Sequence, residues 1–142
     1  MAVYVVDASV VMEYLVTGSF TDNARALFAQ VSASDRLIVP EFCLLECTNV
    51  LWKQVRFQGM GVSQAQTLLR HLRRLPLLRV PVKAALPMAL SISLQQRLPV
   101  YDSVYVALAS RLGCPLVSLD QPQTRAAAAT DVLLKSLSDF VL

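Results

Sequence analysis

Residues 98–120, LPVYDSVYVALASRLGCPLVSLD, decide the fold that the whole chain is expected to adopt. Apolar residues recur at helix spacing after Asp102, and Gly113 stands where that helix should end. The short apolar run that follows is typical of a strand covered on both faces, and Asp120 comes just after it. The stretch therefore predicts a helix and a buried strand, with one carboxylate where the helix begins and another where the strand ends.

The same alternation of apolar runs and helical patterns continues through the rest of the chain. Further strands are predicted at residues 3–6, 37–39, 77–80 and 132–134. This pattern favours an α/β fold, as a single domain over residues 1–142, with a central parallel sheet of about five strands and helices on both faces. All strand carboxyl ends then share one edge of the sheet, where such folds bind their ligands.

The composition limits the class of protein. The chain has 142 residues, of which 55% are hydrophobic and 16% are charged, so an ordered core is expected. No apolar run approaches the roughly 20 residues of a membrane span, and the amino-terminal residues lack the bases of a signal peptide. Three cysteines cannot all pair, which favours a reducing compartment. We therefore expect a cytoplasmic protein with no membrane segment.

Positive charge is concentrated in the middle of the chain. Residues 47–101 contain eight Lys or Arg residues and no acid, whereas the remainder holds five bases and ten acids. Solvated helix faces would explain many of these bases. An acid-free block of this length nevertheless favours a polyanionic partner such as RNA.

A predicted helix over residues 41–57 carries a polar stripe on one face. Glu46, Asn49, Lys53 and Arg56 follow one another at helical spacing. The stripe begins with an acid and ends with two bases, so a phosphate chain whose reacting group lies near Glu46 would follow it toward Lys53 and Arg56. We predict these two bases as RNA-binding residues.

Four acids are expected at the same edge of the sheet. Asp7 and Asp120 follow strands, Asp102 begins a helix, and Glu46 lies in the first turns of the helix after the second strand. Taken singly, the three aspartates would be explained as helix caps. Four converging carboxylates, however, repel one another unless a cation lies between them, and an oxygen-only cluster suits Mg²⁺ or Mn²⁺. Such ions activate water and stabilise charge on a reacting phosphate.

Four motifs together resemble the PIN domain, and more narrowly the VapC-type ribonuclease toxins of toxin–antitoxin pairs. They are D-A-S at residues 7–9, E-C-T-N at 46–49, Y-D-S-V-Y-V-A-L-A at 101–109 and V-S-L-D at 117–120. The likeness covers nearly the whole chain in order. It implies a Mg²⁺- or Mn²⁺-dependent endoribonuclease with a five-stranded parallel sheet, which is usually a homodimer and is often silenced by a small antitoxin protein.

The resemblance also assigns roles to individual residues. It implies that the catalytic, metal-binding acids are Asp7, Glu46, Asp102 and Asp120. It implies supporting roles for Ser9, Asn49 and Ser118. The chain departs from the family at residues 121–123, Gln-Pro-Gln, where relatives often carry charged residues, so we expect one tightly held ion rather than two.

The sequence leaves one alternative function open and argues against others. The open alternative is an interaction module of the same fold, with a metal site too weak for turnover. A haloacid-type phosphatase would need an acid at position 9, where Ser9 stands, and a phosphate-accepting receiver would need paired acids after its first strand. No Ser-His-Asp arrangement is readable with a single histidine, His71.

Overall fold

The computed structural model describes residues 1–31 and 33–141, so Ser32 and Leu142 of the predicted domain lie outside the described residues. Strands and helices alternate along the chain: β1 (Val3–Val6), α1 (Ala8–Leu15), α2 (Thr21–Ala29), β2 (Arg36–Pro40), α3 (Cys43–Phe57), α4 (Val62–Arg74), β3 (Leu77–Val80), α5 (Leu86–Gln96), α6 (Val100–Leu112), β4 (Leu116–Val117) and α7 (Gln121–Ala129). A 3₁₀ turn, Lys83–Ala85, precedes α5.

The strands form one parallel sheet in the order β3-β2-β1-β4. Successive strands move outward from β1 through β2 to β3, and the chain then returns to place β4 on the other side of β1. The strand order therefore reverses between β1 and β4, which is where open α/β sheets form their ligand crevice. The predicted α/β fold with a central parallel sheet flanked by helices is confirmed.

The expectation of about five strands is wrong by one, because the described residues form a four-stranded sheet. The segment predicted as a fifth strand reaches β4 through a single bridge between Leu134 and Leu116. Leu116 N donates to Leu133 O at 2.9 Å, and Lys135 N donates to Leu116 O at 3.0 Å. β4 itself is only two residues long, and its pairing with the predicted fifth strand is confined to Leu116.

The centre of the core is α6. Residues 103–109 of this helix are all buried, and they pack near β1, β2, β4 and the neighbouring helices α5 and α7. Full burial of a side chain such as Leu108 contributes about 1.5–3 kcal/mol. Because α6 is fixed by apolar packing on every side, the residues in its first turn are held firmly at the edge of the sheet.

Helix ends agree with the sequence in some places and differ in others. Gly113 ends α6 with φ 63°, the left-handed conformation that glycine adopts without strain, as the sequence predicted. Pro87 lies in the first turn of α5 rather than at a kink. The helix expected from residue 41 begins at Cys43, because Glu41 still bonds to β3 through its backbone N and Val80 O at 2.9 Å.

All three cysteines, Cys43, Cys47 and Cys114, are free and buried. In the part of the chain that the structure describes, no helix has both the length and the apolar character needed to cross a membrane. The cytoplasmic location of the protein stays a prediction.

Candidate active site

A pocket of about 300 Å³ opens at the carboxyl edge of the sheet, at the β1–β4 switch point. The acids predicted from the sequence all line it, although they come from four separate segments of the chain. Its lining comprises Asp7, Ala8, Ser9, Met12, Glu46, Val50, Asp102, Tyr105, Asp120 and Gln123. We call it the acidic pocket. None of these lining residues is basic, so no side chain of the lining neutralises the carboxylates.

Asp7 is the most buried of the four acids, with 3% of its surface exposed. It caps α1 because its Oδ1 accepts from Val10 N at 3.2 Å. Ser9 Oγ donates to the same oxygen at 2.5 Å, and Ser118 Oγ donates to Oδ2 at 2.6 Å. Both hydroxyls predicted as supporting residues therefore hold Asp7 directly.

The turn after β4 is tied to the turn after β1. Leu119 N donates to Ser9 Oγ at 3.0 Å, and Asp120 N donates to Ser118 Oγ at 2.9 Å. Asp120 then caps α7, since its Oδ2 accepts from Gln123 N at 3.1 Å. These bonds fix Asp7 and Asp120 in the turns that follow the adjacent parallel strands β1 and β4.

Glu46 enters the acidic pocket from the first turn of α3. Its Oε1 accepts a hydrogen bond from the Tyr105 hydroxyl at 2.7 Å, across a sequence separation of 59 residues. Tyr105 is 1% exposed and its ring packs edge-on against Phe42. A rigid, buried phenol therefore sets the orientation of this carboxylate, and Asp102 lies one turn earlier on the same helix as Tyr105.

The rest of the polar stripe lies outside the acidic pocket. Asn49, Lys53 and Arg56 are exposed, and none of them lines the pocket. Glu46 shares its pocket-facing side of α3 with Val50 instead. The structure thus brings together the four acids and the two serines, but it does not bring Asn49 into contact with them.

Burial and mutual repulsion change the acidity of the pocket. Burial raises the pKa of Asp7 to about 6, although hydrogen bonds from Ser118, Ser9 and Val10 N oppose the shift. Burial also raises the pKa of Glu46, with a smaller contribution from the charge of Asp102. The pKa of Asp102 is raised by burial and then by the charge of Asp120. A cation in the pocket would therefore stabilise the charged form of these carboxylates.

The donor set fits a hard divalent cation. It consists of carboxylate and hydroxyl oxygens with no imidazole or thiol among the lining residues, and oxygen is the ligand that Mg²⁺ and Mn²⁺ prefer. Across residues 1–31 and 33–141, no three Asp, Glu, His or Cys side chains are grouped tightly enough to hold one ion. Mg²⁺ keeps several waters and is usually bound through one or two carboxylates, so an open pocket of this kind suits it.

Two functional candidates of the pocket were not singled out from the sequence. Tyr105 lies three residues after Asp102, and Gln123 lies three residues after Asp120, so helical spacing alone places each beside an acid. Their contacts, however, are made to segments far away along the chain. Sequence spacing indicates which face they occupy, whereas only the fold supplies their partners.

The sequence pattern of the PIN domain matches residues 4–129. The chain belongs to the PIN domain family. The match contains all four acids of the acidic pocket and, apart from Val3 at the start of β1, the whole β3-β2-β1-β4 sheet. The resemblance predicted from the four motifs is confirmed.

Curated members of the PIN domain family support a narrower likeness to VapC proteins. The chain is 33% identical over 116 residues to Ribonuclease VapC9 of Mycobacterium tuberculosis, covering 82% of this chain and 84% of that protein. It is 31% identical over 119 residues to Ribonuclease VapC3 of Pyrobaculum aerophilum, covering 82% and 88%. The predicted resemblance to VapC-type proteins is confirmed.

Solved structures share the fold at lower sequence identity. PAE2754 from Pyrobaculum aerophilum superposes with a TM-score of 0.71 at 22% identity, over 98% of this chain and 94% of that one. VapBC2 from Rickettsia felis, bound to a DNA fragment from its promoter, gives a TM-score of 0.68 at 13% identity, over 94% and 98%. The arrangement of strands and helices is therefore that of known PIN folds.

Proposed function

We propose that this protein is a Mg²⁺- or Mn²⁺-dependent endoribonuclease that hydrolyses RNA phosphodiester bonds and acts as the toxin of a type II toxin–antitoxin pair. The observation that carries the proposal is the convergence of Asp7, Glu46, Asp102 and Asp120 on one pocket without a basic neighbour. Curated relatives that are 33% and 31% identical to the chain are named VapC ribonucleases, which supports the same activity.

The acids of the pocket would hold the divalent ion, one or two of them directly and the others through its waters. When bound, the ion would supply activation of water and stabilisation of charge on the phosphate. The chain supplies the geometry. Ser9 and Ser118 orient both oxygens of Asp7, and Tyr105 orients Glu46. No imidazole lines the pocket, so we assign removal of the water proton to a carboxylate, Asp7 or Asp102.

The RNA substrate is supported by the charge distribution around the acidic pocket. Lys53 and Arg56 lie on the same helix as Glu46, are exposed, and belong to the acid-free block of residues 47–101. Lys53 and Arg56 lie about two and three helical turns beyond Glu46, with Asn49 in between. A phosphate that reacts near Glu46 would therefore place neighbouring phosphates of the RNA strand close to these two bases. These residues position the RNA strand and carry no sequence preference by themselves.

An antitoxin and a second copy of the chain are the protein partners that we propose. Solved neighbours of the same fold include a VapBC complex from nontypeable Haemophilus influenzae, with a TM-score of 0.65. This chain exposes large apolar side chains on α3 and α5, including Trp52 at 57% and Leu94 at 74%. Exposed apolar and aromatic residues in such numbers are typical of surfaces that bind other proteins.

The test is cleavage of total cellular RNA by purified, partner-free protein. We expect discrete cuts with Mn²⁺, and none with EDTA or with the Asp102→Asn variant. Calorimetric titration with Mn²⁺ provides the second measurement. Metal-independent cutting would contradict the proposed chemistry, and the absence of both cutting and Mn²⁺ binding would favour an interaction module of the same fold.

A further inference from the structure

Gln123 is a buried polar residue in the wall of the acidic pocket. It is only 2% exposed, although it carries a full side-chain amide. An unsatisfied amide in such a position would cost about 1–3 kcal/mol, so its burial requires partners at both ends. Both ends have partners, and these belong to segments that carry the predicted metal ligands.

The nitrogen end of the amide contacts α6. Gln123 Nε2 donates to the backbone oxygen of Asp102 at 3.1 Å. Asp102 lies in the first turn of α6, so this bond ties the carboxylate-bearing end of that helix to α7. The amide orientation follows from the contact, because a carbonyl oxygen accepts from the NH₂ group and not from the amide oxygen.

The oxygen end of the amide contacts the turn after β4. Gln123 Oε1 lies 2.9 Å from Ser118 Oγ, and that hydroxyl is also 2.6 Å from Asp7 Oδ2. The hydroxyl carries one proton, so it donates to one of these two oxygens at a time. The backbone of the same residue is engaged as well, since Gln123 N donates to Asp120 Oδ2. One residue therefore touches the supports of Asp7, Asp102 and Asp120 at once.

We infer that Gln123 is a positioning residue, which sets the separation between Asp102 and the Asp7–Asp120 pair and thereby the affinity of the pocket for a divalent cation. This inference rests on the proposed function. An apolar side chain of similar volume would fill the same space without connecting these segments. The amide is thus required for the spacing of the carboxylates rather than for the packing of α7 against α6.

The experiment titrates Mn²⁺ into metal-free protein by calorimetry and compares Gln123→Met with the wild type. Methionine keeps the length of the side chain and removes the polar contacts at both ends of the amide. Gln121→Met is the matched control, because Gln121 is exposed on the same helix and does not line the pocket. Thermal unfolding of each metal-free protein measures stability separately from metal binding.

We expect Gln123→Met to weaken Mn²⁺ binding by about 10- to 100-fold, the usual effect of removing a group that orients metal ligands. RNA cleavage should fall at low Mn²⁺ and recover when Mn²⁺ is raised by the same factor. Gln121→Met should match the wild type. Gln123→Asn keeps an amide but shortens its reach, so its Mn²⁺ affinity should also be reduced.

Two results would overturn the inference alone. One is a folded Gln123→Met protein that is less stable than the wild type but binds Mn²⁺ equally well. The other is the failure of both Gln123 variants to fold, which would make this residue a part of the core. Wild-type protein that binds no Mn²⁺ would overturn the proposed function together with the inference.

Discussion

The acidic pocket and the basic end of the polar stripe, Lys53 and Arg56, share helix α3 but are built on different physical principles. Glu46 is half-buried and bonded to Tyr105, whereas Lys53 and Arg56 are exposed. The guanidinium of Arg56 lies 5.3 Å from the Phe57 ring centroid, and neither base forms a salt bridge among the described residues. Charges in the pocket are weakly screened, while charges on the stripe face water and salt.

This difference predicts that single substitutions in the pocket have large effects, whereas those on the stripe are small, additive and dependent on salt. No neighbouring side chain takes over the role of a buried, hydrogen-bonded carboxylate when it is removed. An exposed base contributes to a field that its neighbours also generate. Three further predictions test this contrast, in order of decreasing expected effect.

Glu46→Gln should reduce RNA cleavage on the order of 10³-fold, because it removes one negative charge from the proposed metal site. Glutamine keeps the shape of the side chain and retains an oxygen for the Tyr105 hydroxyl, so the fold should persist. Glu41→Gln, at an exposed acid just before α3, is the control and should cleave as the wild type does. Initial rates of RNA cleavage at fixed Mn²⁺ measure both. Wild-type rates in Glu46→Gln would remove this residue from the site.

Asp7 should make the metal-free protein less stable as the pH rises. Its pKa is raised from 3.8 to about 6 by burial, so the folded state binds the proton more tightly than the unfolded state. The cost of ionising it in the folded protein is about 3 kcal/mol, absent below pH 4 and fully present above about pH 6. Asp7→Asn removes this cost and preserves the helix cap.

Urea unfolding in EDTA measures that expectation. Asp7→Asn should be more stable than the wild type at pH 7.5, and the difference should shrink toward pH 4.5. Asp22→Asn alters an acid with a 94% exposed side chain and should show no such trend. Lower stability of Asp7→Asn at both pH values would mean that the charge of Asp7 stabilises the fold, contrary to this account.

Lys53→Glu combined with Arg56→Glu should weaken RNA binding by about tenfold and reduce the slope of log K against log salt by about 1.4, the value for two lost phosphate contacts. Binding is measured in the Asp102→Asn background to prevent cleavage. Arg25→Glu combined with Arg111→Glu makes the same change of charge at two exposed bases outside the stripe. Equal losses in both pairs would show that overall charge, rather than the stripe, governs binding.

The fold could be predicted from the sequence where local chemistry determines it. Strand β1 and the end of α6 at Gly113 are formed by residues whose preferences are satisfied within a few neighbours. The fifth strand at residues 132–134 failed as a prediction because strand length depends on the partner. β4 offers only two residues, so the apolar run beside it forms a single bridge.

The candidate site shows the same distinction between what local sequence determines and what tertiary packing determines. The sequence by itself determined which acids meet, because parallel strands bring every residue that follows a strand to one edge. Only the tertiary structure decided what holds them: Tyr105 against Glu46, and Gln123 between Ser118 and Asp102. It also left Asn49 facing solvent. The Tyr105–Glu46 and Gln123–Asp102 contacts join residues 59 and 21 positions apart in the chain. Helical spacing therefore gives a residue its face, while the packing of separate elements gives it a partner.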